Sequence, residues 1–111
     1  MRPTTGEHRW ARAAPLETVR ILVVEDNPGD ERLLRLALSQ DPDSKFDVTS
    51  ARTLAGAVDL AQTQPIDAIL LDLHLPDSNG FANVKALALA VPHTPILVMT
   101  GLENASVAIQ V

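Results

Sequence analysis

Three apolar runs in this chain end on side chains that can hold a metal ion or a phosphoryl group. Ile21–Val24 leads into Glu25 and Asp26, Ile66–Leu71 leads into Asp72, and Pro95–Met99 leads into Thr100. Asp72 ends the most hydrophobic of these runs, so its carboxylate stands at the mouth of a low-dielectric core and needs a compensating charge. Glu25 and Asp26 brought beside it would repel it. A hard divalent cation resolves the conflict, because Mg2+ favours one or two carboxylates, a carbonyl and several waters. With the cation bound, the Asp72 carboxylate could attack a phosphoryl donor and form an aspartyl-phosphate. The ion would neutralise charge on the transferring oxygens, and the Thr100 hydroxyl could donate a hydrogen bond to one of them.

That chemistry requires the runs to end at one place, and the elements between them predict that they do. Short apolar runs separated by helix-like segments read as parallel strands buried on both faces. Ligands of such sheets bind just outside the carboxyl ends of the strands. A strand over 19–24 is followed by a helix opening at Asn27-Pro28, with Asn27 as N-cap, Pro28 in the first turn, and Asp30 and Glu31 suited to the helix dipole. Leu33, Leu34, Leu36, Ala37 and Leu38 supply its apolar face, and Asp41-Pro42-Asp43 stops it. An alternating strand over 46–50 and a helix over 53–62 follow, the helix using Leu54, Ala57, Val58 and Ala61. After the strand ending at Asp72, the stretch Leu73 to Gly80 is a loop by its turn chemistry. A third helix over 81–89 turns Phe81, Val84, Leu87 and Ala88 inward. A fourth strand runs over 95–99, and a fourth helix begins at Asn104. The alternation implies an α/β parallel sheet with right-handed crossovers. Residues 1–18 read as a flexible leader and 19–111 as the folded domain.

Composition narrows the function. The 111 residues make one domain with an aliphatic core, the aromatics being Trp10, Phe46 and Phe81 only. Beyond residue 20 there are five basic and twelve acidic side chains, a poor basis for nucleic-acid binding. With no cysteine there is no disulfide, thiol nucleophile or thiolate metal site. No apolar run approaches the roughly 18 residues that cross a bilayer, and no signal peptide is evident. His8 and His93 lack a second His or Cys at zinc-ligand spacing. Asp77-Ser78-Asn79-Gly80 lacks the repeated acids of a calcium loop and reads as a turn.

The stretches ILVVEDNPGDERLLRLAL, DAILLDLHLPDSNGF and TPILVMTG together resemble the receiver domain of two-component response regulators, relatives of the bacterial chemotaxis regulator. The resemblance covers about residues 19–111. It implies a flavodoxin-like, doubly wound parallel sheet in the strand order 2-1-3-4-5. It implies that Asp72 is the phospho-acceptor, Asp26 a direct Mg2+ ligand, Glu25 a ligand through water, and the His74 backbone carbonyl a further ligand. Thr100 matches the switch hydroxyl, while Pro76 and Gly80 match the turn after the acceptor strand. The implied function is phosphorelay signalling in the cytoplasm. A sensor histidine kinase or histidine phosphotransfer protein would supply the phosphoryl group, and a downstream protein partner would read the result. Such a domain assists its own phosphorylation and dephosphorylation and is not otherwise an enzyme.

One departure accompanies the match. The family places a lysine and an aromatic switch residue on a fifth strand, and the sequence stops before either; Lys45 and Lys85 lie elsewhere in the pattern. The fifth strand and last helix are therefore expected to be absent, leaving the fourth strand an open edge. Reduced stability, association through that edge or as a homodimer, and impaired phosphorylation are the corresponding expectations. Two other functions fit parts of the pattern. One is a phosphorylation-incompetent pseudo-receiver that serves only for docking. The other is a phosphatase of the haloacid dehalogenase type, which needs a second acid where His74 stands.

Overall fold

The computed structural model describes residues 18–40, 42–43, 45–99 and 107–110. Strand β1 (Thr18–Val24) leads to helix α1 (Pro28–Ser39), strand β2 (Lys45–Ala51), helix α2 (Leu54–Thr63) and strand β3 (Ala68–Asp72). A two-residue hairpin, β4 (His74–Leu75) and β5 (Ser78–Asn79), precedes helix α3 (Phe81–Ala90), strand β6 (Ile96–Met99) and strand β7 (Val107–Gln110). The large sheet has the order β2-β1-β3-β6-β7. Its first four strands are parallel, with Val24 paired to Ala51 on one side and to Leu71 on the other, and Asp72 paired to Met99. The doubly wound order expected from the sequence is thus present.

The helix starts are set locally. Asn27 Oδ1 accepts the Asp30 N–H at 3.0 Å, and Thr53 Oγ1 accepts the Gly56 N–H at 3.0 Å. Each side chain satisfies a donor that the first helical turn leaves without an intrahelical partner. Pro28 opens α1 as the sequence predicts.

Strand alternation divides the interior into two faces. Leu22, Val24, Ile69, Leu71, Ile96 and Val98 form one cluster with Ala57 and Ala61 of α2 and Val84 and Leu87 of α3. Ile21 and Val23 are buried but lie outside that cluster, so they point to the opposite face. Helix α1 lies there: Arg35 Nη2 donates to Ser50 Oγ at 2.8 Å, and Ser50 Oγ donates to Glu31 Oε2 at 2.6 Å.

Besides the short β4–β5 hairpin where a loop was expected, the structure differs from the sequence reading in three places. No residue of α1 is buried, and Leu33 and Leu36 are 55% and 52% exposed. Glu31, Leu34 and Leu38 are half-buried, and Glu31 and Arg35 bond to Ser50 of β2, so the five-residue apolar tract is wider than the covered face. On α3, Phe81 is 70% exposed and Ala88 is also exposed, while Asn83, Val84 and Leu87 face inward. Lastly, Val107–Gln110 is a strand antiparallel to β6, where a helix and an empty fifth place were expected. Val107 and Ile109 are β-branched at alternate positions, which suits a strand. The outer side of β6 offers a ladder of backbone donors and acceptors to such a segment. The β6 edge is therefore covered.

Candidate functional site

The pairing of Val24 with Leu71 carries Glu25 and Asp72 off adjacent parallel strands side by side. One carboxylate oxygen from each of Glu25, Asp26 and Asp72 lies within 4.8 Å of the others. Glu25 is buried, Asp72 is half-buried and Asp26 is exposed. Glu25 is fixed from both ends: its N–H donates to the Ala51 carbonyl at 3.0 Å, and its Oε2 accepts the Asn27 N–H at 3.2 Å. Burial, then a hydrogen bond to Asp72, push the Glu25 carboxyl up to about 8, and the charges of Asp72 and Asp30 act in the same direction. Among the described residues no Lys or Arg forms an ion pair with any of the three acids. A carboxylate trio with one buried member and no ion-paired Lys or Arg among the described residues is a donor set suited to a hard divalent cation.

The loop after Asp72 is held from several sides. The His74 N–H donates to Asp72 Oδ1 at 3.0 Å, while the His74 residue itself is exposed. The Gly80 N–H donates to the Leu73 carbonyl at 2.7 Å and closes the small hairpin. Asp77 accepts the N–H groups of Leu54 and Ala55 at 2.8 and 3.0 Å, joining the loop to the start of α2. Those two donors hold the Asp77 carboxyl below the usual carboxylate range. Asn83, fully buried on α3, donates from Nδ2 to the Leu73 carbonyl at 2.8 Å.

Of the site residues read from the sequence, Glu25, Asp26, Asp72 and the backbone of His74 are brought together. Thr100 lies outside the described residues, as do the leader up to residue 17 and the expected start of a helix at Asn104. Sequence reasoning missed Asp77 and Asn83. Asn83 did leave a signal, being a polar residue on the apolar stripe with Val84 and Leu87. Asp77 left none, because its partners precede it by more than twenty residues.

A doubly wound α/β sheet with acids gathered at the ends of its first and third strands defines the class of this domain. The chain belongs to the response regulator receiver domain family, whose model matches residues 21–111. It is 33% identical over 91 residues to the response regulator protein PilR of Pseudomonas aeruginosa, covering 82% of this chain and 20% of that relative. The chain thus spans about a fifth of PilR's length. Among solved structures it is similar to the non-phosphorylated HemR receiver domain of Leptospira biflexa, with TM-score 0.60, 32% identity, and 78% and 70% of the two chains covered. It is also similar to the receiver domain of sensor histidine kinase PA1611 of Pseudomonas aeruginosa, which has magnesium coordinated in its active-site cleft. That match has TM-score 0.66 and 29% identity, and covers 76% and 68% of the two chains. The protein carries a receiver domain of two-component signalling. No helix among the described residues is long and apolar enough to cross a membrane.

Proposed function

We propose that this domain accepts a phosphoryl group on Asp72 from a sensor histidine kinase or histidine phosphotransfer protein in the cytoplasm. The observation that carries the reading is the Glu25, Asp26 and Asp72 trio, whose oxygens lie within 4.8 Å of one another with no ion-paired Lys or Arg among the described residues. Asp26, Asp72 and the His74 carbonyl would hold Mg2+ directly, with Glu25 acting through water. When bound, Mg2+ supplies charge neutralisation for the transferring phosphoryl oxygens.

The chain's own residues then perform three tasks. A carboxylate oxygen of Asp72 attacks phosphorus, forming an acyl-phosphate O–P bond. The P–N bond of the donor phosphohistidine breaks, and the leaving imidazole nitrogen keeps the bonding pair and is protonated. The His74 N–H steadies Oδ1 of Asp72 throughout, and Thr100 donates its hydroxyl to a phosphoryl oxygen. A downstream protein partner reads the phosphorylated surface. A phosphatase of the haloacid dehalogenase type is less well supported, because the position two residues after Asp72 holds His74 and not a second acid.

Intact-mass spectrometry after incubation with acetyl phosphate and Mg2+ tests the reading. The expected result is a gain of one phosphoryl group that is absent from Asp72→Asn and from a sample with Mg2+ chelated. No gain in the unsubstituted protein would overturn it and point to a docking role.

A further inference from the structure

The peptide joining Leu73 to His74 is pinned at both ends. Its N–H donates to Asp72 Oδ1 at 3.0 Å. Its carbonyl accepts two hydrogen bonds, from the Gly80 N–H at 2.7 Å and from Asn83 Nδ2 at 2.8 Å. Because a peptide unit is planar, fixing the carbonyl fixes the direction of the N–H. With both carbonyl lone pairs used, the plane cannot rotate without losing a bond.

Asn83 sits where an apolar residue would serve packing better. It is fully buried on the stripe with Val84 and Leu87, and its Oδ1 is buried without a hydrogen-bond partner among the described residues. An unmade hydrogen bond in the interior is costly, and a leucine there would avoid it. What the amide adds is its Nδ2, 2.8 Å from the Leu73 carbonyl and 3.5 Å from that of Asp72. The donor orientation is fixed by chemistry, since both neighbours are carbonyl acceptors.

We infer that Asn83 is a positioning residue for the acceptor. Through the rigid Leu73–His74 peptide it aims the His74 N–H at Asp72 Oδ1 and so sets the carboxylate orientation that phosphoryl transfer uses. The inference rests on the phospho-acceptor reading for its consequence, though the hydrogen-bond relay stands apart from it. Small misplacements of a reacting group are expensive in rate, up to about a hundredfold for 1 Å.

Three full-chain proteins decide it: the unsubstituted one, Asn83→Leu, which keeps the branched heavy-atom shape and removes the donor, and Asn83→His, whose ring Nδ1–H restores an N–H donor at the same distance along the side chain. Amide hydrogen exchange at His74 is measured without metal, and the phosphorylation rate is measured at saturating Mg2+ with acetyl phosphate. Asn83→Leu is expected to exchange His74 about tenfold faster and to phosphorylate about tenfold more slowly, at equal or higher melting temperature. Asn83→His should recover both. Equal exchange and equal rate in Asn83→Leu would overturn the inference. So would losses in both variants that simply track a lowered melting temperature. If the unsubstituted chain takes no phosphoryl group, the proposed function fails, and His74 exchange alone then decides the relay.

Discussion

Glu25 and Asp72 leave adjacent parallel strands with carboxylate oxygens within 4.8 Å of each other, and the buried member, Glu25, is pushed up to about 8 by burial first and by Asp72 second. The folded protein without metal therefore keeps a proton that the unfolded chain, with its ordinary value of 4.5, gives up. Between those two values the native state binds more protons than the unfolded one. Stability must then fall as pH rises through that window, by up to about 1.4 kcal/mol per pH unit, and level off above it. Bound Mg2+ should flatten the slope by favouring the ionised acids. Denaturant unfolding at intervals from pH 5 to 9, with chelator or with Mg2+, measures this. Asp72→Asn should raise metal-free stability at pH 8 and reduce the slope. A metal-free stability that climbs over this range would contradict a raised Glu25 carboxyl.

Gly80 holds φ 68° and ψ −150°, a region open essentially to glycine. A β-carbon there would meet nothing within 4 Å, so the cost of Gly80→Ala is backbone strain without a clash. The substitution should destabilise by about 1–3 kcal/mol. The Gly80 N–H bond to Leu73 would be disturbed with it. Equilibrium unfolding gives the number, and a change within a few tenths of zero would show that the turn relaxes into another form.

Glu31 is held below its ordinary carboxyl range first by the Ser50 hydroxyl and then by Arg35. Ser50→Ala should raise the Glu31 value toward 4.5, read by a carboxyl-carbon NMR titration. A group with a depressed folded value stabilises above its unfolded value, and that stabilisation is lost as pH falls through the folded one. The variant should therefore lose stability relative to the parent near neutral pH and converge with it in acid. An unmoved Glu31 titration would mean that Arg35 alone holds the carboxylate.

Much of the site was legible because strand ends are local features. An apolar run closed by an acid places that acid at a sheet mouth whatever the partner strands are, which is why Glu25, Asp26 and Asp72 could be named beforehand. The start of α1 was legible for the same reason, since Asn27 and Pro28 act within one turn. The partners of Asp77 and Asn83 were not, because they are set by where the sheet order brings the loop against α2 and α3. The choice of inward residues on α1 and α3 was also hidden. Leu33 and Phe81 are as apolar as their neighbours, and only the angle of each helix on the sheet decides which are covered.

The sequence by itself determined the α/β alternation, the acids at the strand ends, and the helix caps, since each depends on interactions within a few residues. Tertiary structure decided three things beyond that. It set the buried Glu25 beside Asp72, locked the Leu73–His74 peptide with Asn83, and used Val107–Gln110 as a strand against β6. Each depends on groups distant in sequence, so its energy exists only once the sheet has assembled.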